Sequence, residues 1–325
     1  MITILGSSAH ELYRDTLRLL LEEGETVDVR GYRTKELLNV ATVIEQPWHH
    51  CHFVPGRRWN PWIAMSEALW ILAGREDIAP LLPYNKRIVE FSDNIHLNNP
   101  TLYGAYGARI RHQINPLIRR LEEDPSDRRA VLAIWSDVDL DASTKDPPCN
   151  DMIMFKIRDD KLHMTVINRS NDLHWGLYAV NIPTFGILQD WLAARLGVEM
   201  GTQTHLSNSL HVYRPQLGMK VNWDITRNMT AEGFEPLPMM PQHERAFTEP
   251  VALDALVEAC NDVLACEAQG GSSPYAYHGI PFLEFAQDFL LMYRLGKAAD
   301  VGDECRYADK FQDWIMAAQV WEGAP

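Results

Sequence analysis

One stretch in the middle of the chain alternates between apolar and polar side chains, and this pattern constrains the fold more than any other. Every second residue from Leu162 to Val166 is apolar, and the residues between them are polar. A period of two is typical of a half-buried strand. Asp159-Asp160 precedes this strand as a turn signal. We therefore predict an antiparallel hairpin with strands at 152–157 and 162–167.

Helical patterns on both sides of the hairpin indicate an α+β fold. The most apolar helix is predicted over 183–196, beginning at Pro183 and ending at Gly197. Periodicity predicts these further elements: helices at 9–24, 61–74, 112–123, 251–267, 281–295 and 308–320, and a strand at 36–46. We expect a largely antiparallel sheet with helices packed on it.

The composition changes after about residue 220. Residues 221–250 contain several Pro and Met and little periodicity, which predicts a loop. We expect residues 1–220 to form one large domain. Residues 221–325 are expected to be a loop and a helical extension packed on the same domain.

Charge and cysteine content exclude several classes of function. The 325-residue chain has a net charge of −14 and no run of Lys or Arg, so neither a nucleic-acid polymer nor a membrane is an expected partner. Five cysteines without a CxxC pair are typical of a reducing compartment, and we expect a cytoplasmic protein. The sequence contains no apolar run of transmembrane length and no signal-peptide pattern at its start.

Cys149 is the strongest candidate for a reactive residue. A free cysteine is most often a small buried apolar residue, and that alternative applies here too. Cys149, however, follows Pro147-Pro148, which restrict the backbone, and Arg169 lies some twenty residues downstream. An arginine can favour the thiolate and bind phosphate. The pattern favours a nucleophilic cysteine that acts on a small anion.

Charged residues elsewhere each allow two interpretations. Arg128-Arg129 is either a solvated turn or a phosphate clamp, and Arg30 is a further candidate for binding an anion. Glu67 lies in an otherwise apolar helix. It is either at the edge of that helix or a buried acid with a raised pKa, as proton transfer requires.

The sequence His49-His50-Cys51-His52 contains metal-binding residue types in a run. Neighbouring residues of a strand point to opposite faces, so at most two of these side chains can converge. No second cluster in the sequence completes a set of four ligands. We therefore expect no metal site.

The motifs taken together resemble the thymidylate synthase superfamily over roughly residues 28–220. The matching motifs occur in the family's order: Ser66–Gly74, Tyr106-Gly107, Asp124–Arg129, Pro148-Cys149, Arg169-Ser170, Asp172, Asn181, His211 and Tyr213. The resemblance implies a catalytic set of Cys149, Glu67, Tyr106 and Asp172. It also implies a nucleotide-binding set of Arg30, Arg128, Arg129, Asn150, Arg169, Ser170, Asn181, His211 and Tyr213. Asp172 and Trp70 are the implied contacts of a folate.

Several departures resemble one branch of that superfamily, the phage and antibiotic-pathway pyrimidine nucleotide hydroxymethylases. Asn150 replaces the usual histidine after the cysteine, and Phe91-Ser92-Asp93 stands where tryptophans are usual. The run Leu177–Val180 before Asn181 is one residue longer than is usual in the family. In the family, an aromatic wall excludes water from the site and so favours hydride transfer, which gives a methyl product. The resemblance implies that this chain has lost part of that wall, which favours a hydroxymethyl product.

The resemblance implies one-carbon transfer to C5 of a pyrimidine nucleoside monophosphate, with 5,10-methylenetetrahydrofolate as cosubstrate and no metal. It also implies a homodimer in which Arg128 and Arg129 reach the partner's site. The expected reaction is 5-hydroxymethylation of (d)CMP or dUMP. Asn181 favours uracil over cytosine, but an amide can serve either base and the longer run before Asn181 weakens the preference. The alternatives are thymidylate synthase proper and a non-catalytic nucleotide-binding homologue. An unrelated thiol hydrolase is disfavoured because no oriented Cys–His pair is apparent in the sequence.

Overall fold

The computed structural model describes residues 1–52, 59–213, 245–269 and 280–322. In these ranges eight strands form one sheet: β1 Ile2–Gly6, β2 Glu25–Val29, β3 Tyr32–Ile44, β4 Val131–Ala133, β5 Asn150–Arg158, β6 Lys161–Asn168, β7 Asn171–Asp172 and β8 Glu199–Tyr213. The α-helices are α1 Ala9–Glu23, α2 Pro61–Leu72, α3 Tyr106–Glu123, α4 Ile182–Leu196, α5 Leu253–Gln269, α6 Pro281–Arg294, α7 Val301–Glu304 and α8 Gln312–Glu322. The predicted α+β class is confirmed. In the described residues, no helix is long and apolar enough to cross a membrane.

The sheet is mixed, with strand order β1-β3-β8-β6-β5-β4, while β2 pairs with β3 and β7 with β8. Strand β8 runs antiparallel to β3 but parallel to β6 and β7, and β1 runs parallel to β3. The predicted hairpin is β5–β6, and it closes through Asp159 and Asp160, which both have left-handed backbone conformations. Two left-handed residues give a turn whose twist matches that of the strands.

The predicted helices are present with shifted ends. The helix expected at 112–123 begins six residues earlier, at Tyr106, because Gly107 lets its first turn lie directly against α2. The three helices expected in the C-terminal part correspond to α5, α6 and α8. Most of the loop expected at 221–250 lies outside the described residues. Residues 245–250 contain neither helix nor strand.

The buried apolar residues form two clusters, and helix α2 lies in the larger one. It starts at Pro61, and the Asn60 side chain caps it by accepting the Ile63 N–H at 3.2 Å. Every residue of α2 except Glu67 is buried, which identifies a helix enclosed on all sides. Trp62 stacks on Phe289 of α6 at 5.5 Å between ring centroids, so the C-terminal helices share this core.

A nine-residue π-helix, Leu173–Asn181, lies between β7 and α4. Its wider turn takes one more residue than an α-turn does. The run Leu177–Val180 before Asn181 lies inside this π-helix and not in a loop. The Asp172 side chain caps the segment by accepting the Trp175 N–H.

The contact between α2 and α3 leads to a prediction of stability. A Cβ added at Gly107 would lie 2.4 Å from the Ile71 carbonyl oxygen, which is backbone and cannot rotate away. We expect Gly107→Ala to lower the free energy of unfolding by about 1–3 kcal/mol, measured by urea denaturation. Gly302→Ala is the matched control, because its new Cβ in α7 would find its nearest neighbour at 3.5 Å. Equal effects of the two substitutions would contradict this packing.

Candidate active site

Cys149 lies at the entrance to β5 and is held by Arg169. The Arg169 guanidinium donates to the carbonyl oxygens of Pro148 at 2.8 Å and Pro147 at 3.1 Å, and its Nη2 lies 3.7 Å from Cys149 Sγ. The Arg169 backbone N–H donates to the Cys149 carbonyl oxygen at 3.1 Å. The same guanidinium lies 5.4 Å above the Trp135 ring. The two prolines thus provide carbonyl groups that orient the cation beside the sulfur.

The charges around Cys149 oppose one another. Burial raises the pKa of its thiol, Arg169 and Arg30 lower it, and the acidic groups of Asp146 and Asp151 raise it. The arginine effect expected from the sequence is present, but burial outweighs it. The thiol of the free protein is consequently protonated at neutral pH, and attack on a substrate requires the transfer of that proton.

Two carboxyl groups of different acidity lie at this site, and the charge of one, Asp146, acts on the other, Glu67. Burial and then the charge of Asp146 raise the pKa of Glu67 to about 8. Burial raises the pKa of Asp146 to about 6, and the Gly104 N–H, which donates to its carboxylate at 2.9 Å, opposes that rise. Between these values, the pair holds one proton. Of the two alternatives, Glu67 is therefore the acid with a raised pKa, although its side chain is half-buried and not fully enclosed.

Tyr106 connects this pair to the cysteine. Its hydroxyl hydrogen-bonds the backbone of Cys149, and burial followed by the charges of Cys149 and Asp146 raises its pKa. The predicted residues Cys149, Glu67 and Tyr106 therefore lie together. Asp146 was missed, although its position directly before Pro147-Pro148-Cys149 was the available signal.

The segment that replaces the family tryptophans anchors Asp146. The Asp93 carboxylate accepts the Thr144 hydroxyl at 2.5 Å and the Lys145 N–H at 3.0 Å. Thr144 Oγ1 in turn accepts the Asp146 N–H at 3.1 Å. Lys145 Nζ donates to the Ser92 carbonyl oxygen at 3.2 Å. A polar connection to the 144–146 segment thus occupies the place where the resemblance puts tryptophans in the rest of the family.

A chain of buried amides crosses the sheet beside Cys149. Asn150, Asn168 and Ser207 are register partners on the adjacent strands β5, β6 and β8. Asn168 donates to Asn150, Asn150 donates to Asn181 at 3.4 Å, Asn181 donates to Asn171 at 3.3 Å, and Asn171 donates to Ser207 at 3.1 Å. The structure therefore brings Asn181, the predicted base-reading amide, next to Asn150 of the predicted nucleotide-binding set.

Gly176 lets the π-helix approach this amide chain. A Cβ at that position would lie 2.8 Å from Asn171 Oδ1. Within the described residues, Asn168 Oδ1 is buried without a hydrogen-bond partner. A bound polar molecule that donates a hydrogen bond to this buried oxygen would supply the missing partner.

The predicted ribose and phosphate residues lie at the end of β8 and on the β2–β3 turn. His211 pairs in register with Asp172 of β7, and its ring meets Tyr213 edge-on at 5.3 Å. His211 Nδ1 is buried and has no hydrogen-bond partner among the described residues. Arg30 has a left-handed backbone conformation in the turn, and its charge acts on both Cys149 and Tyr213. Ser170 is half-buried between β6 and β7.

Three predicted site residues are not assembled with this group in the single chain. Arg128 and Arg129 are exposed between α3 and β4, and Arg129 pairs with the buried Asp127 at 2.8 Å. Trp70 is 3% exposed, and its indole N–H donates to the Asp77 carbonyl oxygen at 2.7 Å. The contacts of Trp70 are those of a core residue, so we do not extend the folate role to it.

Comparison with known proteins identifies the class to which this fold and site belong. The thymidylate synthase family model matches residues 11–247, and the chain therefore belongs to the thymidylate synthase family. The resemblance recognised in the sequence is confirmed.

Two similar relatives are phage proteins named deoxyuridylate hydroxymethyltransferase. The one from Bacillus phage SP01 is 37% identical over 70% of this chain and 63% of its own length. The one from Pseudomonas phage M6 is 38% identical over 55% of this chain and 52% of its own length. A protein of Methanosarcina mazei named putative thymidylate synthase is 29% identical over 66% of this chain and 87% of its own length. The chain thus spans less than two thirds of the two phage relatives.

Proposed function

We propose that this protein transfers a one-carbon unit to C5 of a pyrimidine nucleoside monophosphate and releases a 5-hydroxymethyl nucleotide, with dUMP as the favoured substrate. The observation that carries the proposal is the group formed by the half-buried Cys149 sulfur, Arg169 and Asp146, with Glu67 under the influence of Asp146. Both phage relatives have names that state this activity on deoxyuridylate. A thiol that must stay reduced suits a cytoplasmic location.

Cys149 makes C5 reactive. Carbon C5 of a pyrimidine is a poor nucleophile, but addition of the Cys149 thiolate to C6 moves an electron pair onto C5 and the O4 carbonyl. The protonated Glu67 provides a proton towards O4, and its pKa of about 8 keeps that proton available at neutral pH. Expulsion of the sulfur at the end of the reaction restores the C5–C6 double bond and frees Cys149.

The second carboxyl favours the hydroxymethyl product. After one-carbon transfer, C5 loses its hydrogen as a proton and the transferred carbon separates from the cosubstrate, which would leave an exocyclic methylene on C5. That methylene takes either a hydride, which gives methyl, or a water, which gives hydroxymethyl. Water addition needs a base that removes a proton from the water oxygen. Asp146, with a pKa of about 6, is ionised at neutral pH and acts as that base, while Glu67 remains the acid.

The cosubstrate proposed for this site is 5,10-methylenetetrahydrofolate. The first turn of the π-helix presents Trp175, which is 44% exposed, next to the carboxylate of Asp172. An exposed indole face beside an acceptor fits a flat heterocycle that carries N–H groups. When bound, the cosubstrate supplies a carbon at the oxidation level of formaldehyde. Asp172 and Trp175 would hold it.

The chain of buried amides fixes the orientation of the Asn181 side chain, and this orientation decides which base it can bind. Asn181 Oδ1 accepts from Asn150, and Asn181 Nδ2 donates to Asn171, so a rotation that exchanges the oxygen and nitrogen would break both contacts. Uracil presents O4 as an acceptor and N3–H as a donor, whereas cytosine presents the opposite pattern. A fixed amide therefore serves one base only, and the names of the phage relatives favour uracil.

The reaction is tested by incubating the protein with methylenetetrahydrofolate and, separately, dUMP, dCMP, UMP and CMP. We expect dUMP to gain the mass of CH₂O, with no dihydrofolate formed in the near-ultraviolet assay. We expect dCMP to react at least about tenfold more slowly, since one polar pair contributes about 1–3 kcal/mol of discrimination. A gain of CH₂ with stoichiometric dihydrofolate would identify a thymidylate synthase instead. No product from any nucleotide would overturn the proposal.

We also propose that the protein is a homodimer with shared sites. Arg128 and Arg129 are exposed in the single chain and are not among the charges that act on Cys149, and this exposure leaves both guanidinium groups available to a phosphate in the site of a second subunit. Asp127, which accepts from both Arg120 and Arg129 at 2.8 Å, holds this turn in place.

Complementation tests the shared site. We expect mixtures of inactive Cys149→Ala chains with inactive Arg128→Ala, Arg129→Ala chains to regain activity after subunit exchange, because one site of each mixed dimer has both intact parts. Refolded Cys149→Ala chains alone serve as the control and should stay inactive. If mixed dimers form and remain inactive, the arginines do not cross the interface.

A further inference from the structure

Three metal-binding side chains meet inside the protein, away from the candidate active site. One ligand atom each from His50, Cys51 and Asp313 lies within 4.8 Å of the other two. His50 and Cys51 precede α2, whereas Asp313 is the second residue of α8 in the C-terminal part. All three residues are at most 2% exposed. The cluster is therefore an interior site and not a patch of solvated acids.

The His50 ring is oriented as in a metal site. Its Nδ1 lies 3.2 Å from the Pro47 carbonyl oxygen, which can only accept, so Nδ1 carries the proton and Nε2 the lone pair. Metal-binding histidines generally donate their second ring N–H to such a carbonyl or carboxylate. A Cβ at position 186 of α4 would lie 3.2 Å from both His50 Nδ1 and the Pro47 oxygen, so Gly186 provides the room for this pair. The Trp314 ring meets His50 edge-on at 5.4 Å.

Cys51 and Asp313 complete a set of three possible metal ligands whose charge a divalent cation would balance. The Cys51 thiol hydrogen-bonds the Asp313 carboxylate, which also accepts the Trp314 backbone N–H at 2.9 Å. A thiolate, a carboxylate and a neutral imidazole together carry two negative charges. A divalent cation would neutralise them, so no net charge would be buried. Zinc accepts sulfur, nitrogen and oxygen ligands together, whereas magnesium and calcium prefer oxygen alone.

His52 has a different environment from this set. Its ring stacks between Tyr13 at 4.7 Å and Trp59 at 4.8 Å. Three protein ligands therefore leave one tetrahedral position for a water molecule. The run of four residues at 49–52 thus contributes two ligands, and the third comes from a distant part of the chain.

We propose that His50, Cys51 and Asp313 bind one zinc ion, which fastens helix α8 to the segment that leads into α2. Binding breaks the S–H bond of Cys51, forms a Zn–S bond and releases the proton to solvent. The role is structural, because none of the three residues belongs to the group around Cys149. The proposal is independent of the reaction proposed above.

Metal content and spectroscopy test this site in the full-length protein. We expect about one zinc per chain by elemental analysis, removable with a chelator and restored by added Zn²⁺. Removal should lower the Tm of the wild type, because a metal bound only by the folded state stabilises it. Cobalt(II) added to the metal-free protein should give the near-ultraviolet absorption of a thiolate–cobalt bond.

Two variants and one control make the assignment specific. Cys51→Ser and Asp313→Asn should lose the cobalt band and the response of Tm to chelator. Cys260→Ala, which alters a fully buried cysteine of α5, should keep both. Wild-type protein that binds no stoichiometric zinc or cobalt would overturn the proposal, even if the variants fail to fold. A cobalt band that persists in folded Cys51→Ser would overturn it as well.

Discussion

Cys149→Ala is expected to abolish turnover while leaving the Kd for dUMP within about tenfold of the wild-type value, a difference of about 1.4 kcal/mol. In the proposed reaction, the sulfur forms a bond to the nucleotide only after other residues hold the phosphate, ribose and base. Loss of a nucleophile commonly costs on the order of 10⁴-fold or more in kcat. Stopped assays for product and equilibrium binding of dUMP measure the two quantities separately.

The control for Cys149 is the same substitution at a buried cysteine outside the site. Cys260 is fully buried in α5 and belongs to the core that α5 shares with α2. Cys260→Ala should keep its activity, although some loss of stability is expected from the small cavity. If Cys149→Ala kept substantial activity, the thiol would not be the nucleophile.

Glu67→Gln is expected to inactivate the protein and stabilise it at the same time. The substitution removes a proton donor, which typically contributes about 10²–10⁴-fold to the rate. It also removes an acid whose pKa is raised from 4.5 to about 8 by its partial burial and then by Asp146. Between these values, the folded protein holds a proton that the unfolded chain has lost. Stability therefore falls as the pH rises through this window, and the full cost is present above about pH 8.

The gain in stability should accordingly appear at alkaline pH. We expect the free energy of unfolding of Glu67→Gln to exceed that of the wild type by about 2–4 kcal/mol at pH 9 and to differ little at pH 4. Glu284→Gln is the matched control, since Glu284 is a buried acid of α6 that pairs with Arg306 at 2.9 Å. That substitution should destabilise the protein and leave kcat unchanged. If Glu67→Gln were less stable than the wild type at pH 9, the ionised Glu67 carboxylate would not destabilise the folded protein, and its pKa would not be raised.

The parts of the fold that follow from local periodicity could be predicted from sequence. The β5–β6 hairpin and helices α1, α2 and α4 have clear apolar patterns with Gly or Pro at their ends, and the structure contains all of them. Strand β8 was missed because Gln203, His205 and Ser207 are buried polar residues, which hide its alternation. Their burial depends on partners from other strands and helices, and those partners cannot be read from the strand itself.

The residues of the candidate site that belong to recognisable motifs could be predicted from the sequence. Cys149, Arg169 and Asn181 stood out through their motifs, and the structure places all three around the same space. Asp146 was missed because its role depends on a raised pKa, which arises from three-dimensional burial. Asp313 was missed for a related reason, since nothing in its sequence context indicates contact with Cys51.

Addition of Cys149 to C6 is tested most directly by following the hydrogen on C5. dUMP labelled with deuterium at C5 would be incubated with the wild type and with Cys149→Ala in the presence of methylenetetrahydrofolate. We expect the wild type to release one C5 deuterium for each 5-hydroxymethyl nucleotide formed. Cys149→Ala should release none, although it binds the nucleotide. Release of deuterium from Cys149→Ala at the wild-type rate would show that C5 is activated without this sulfur.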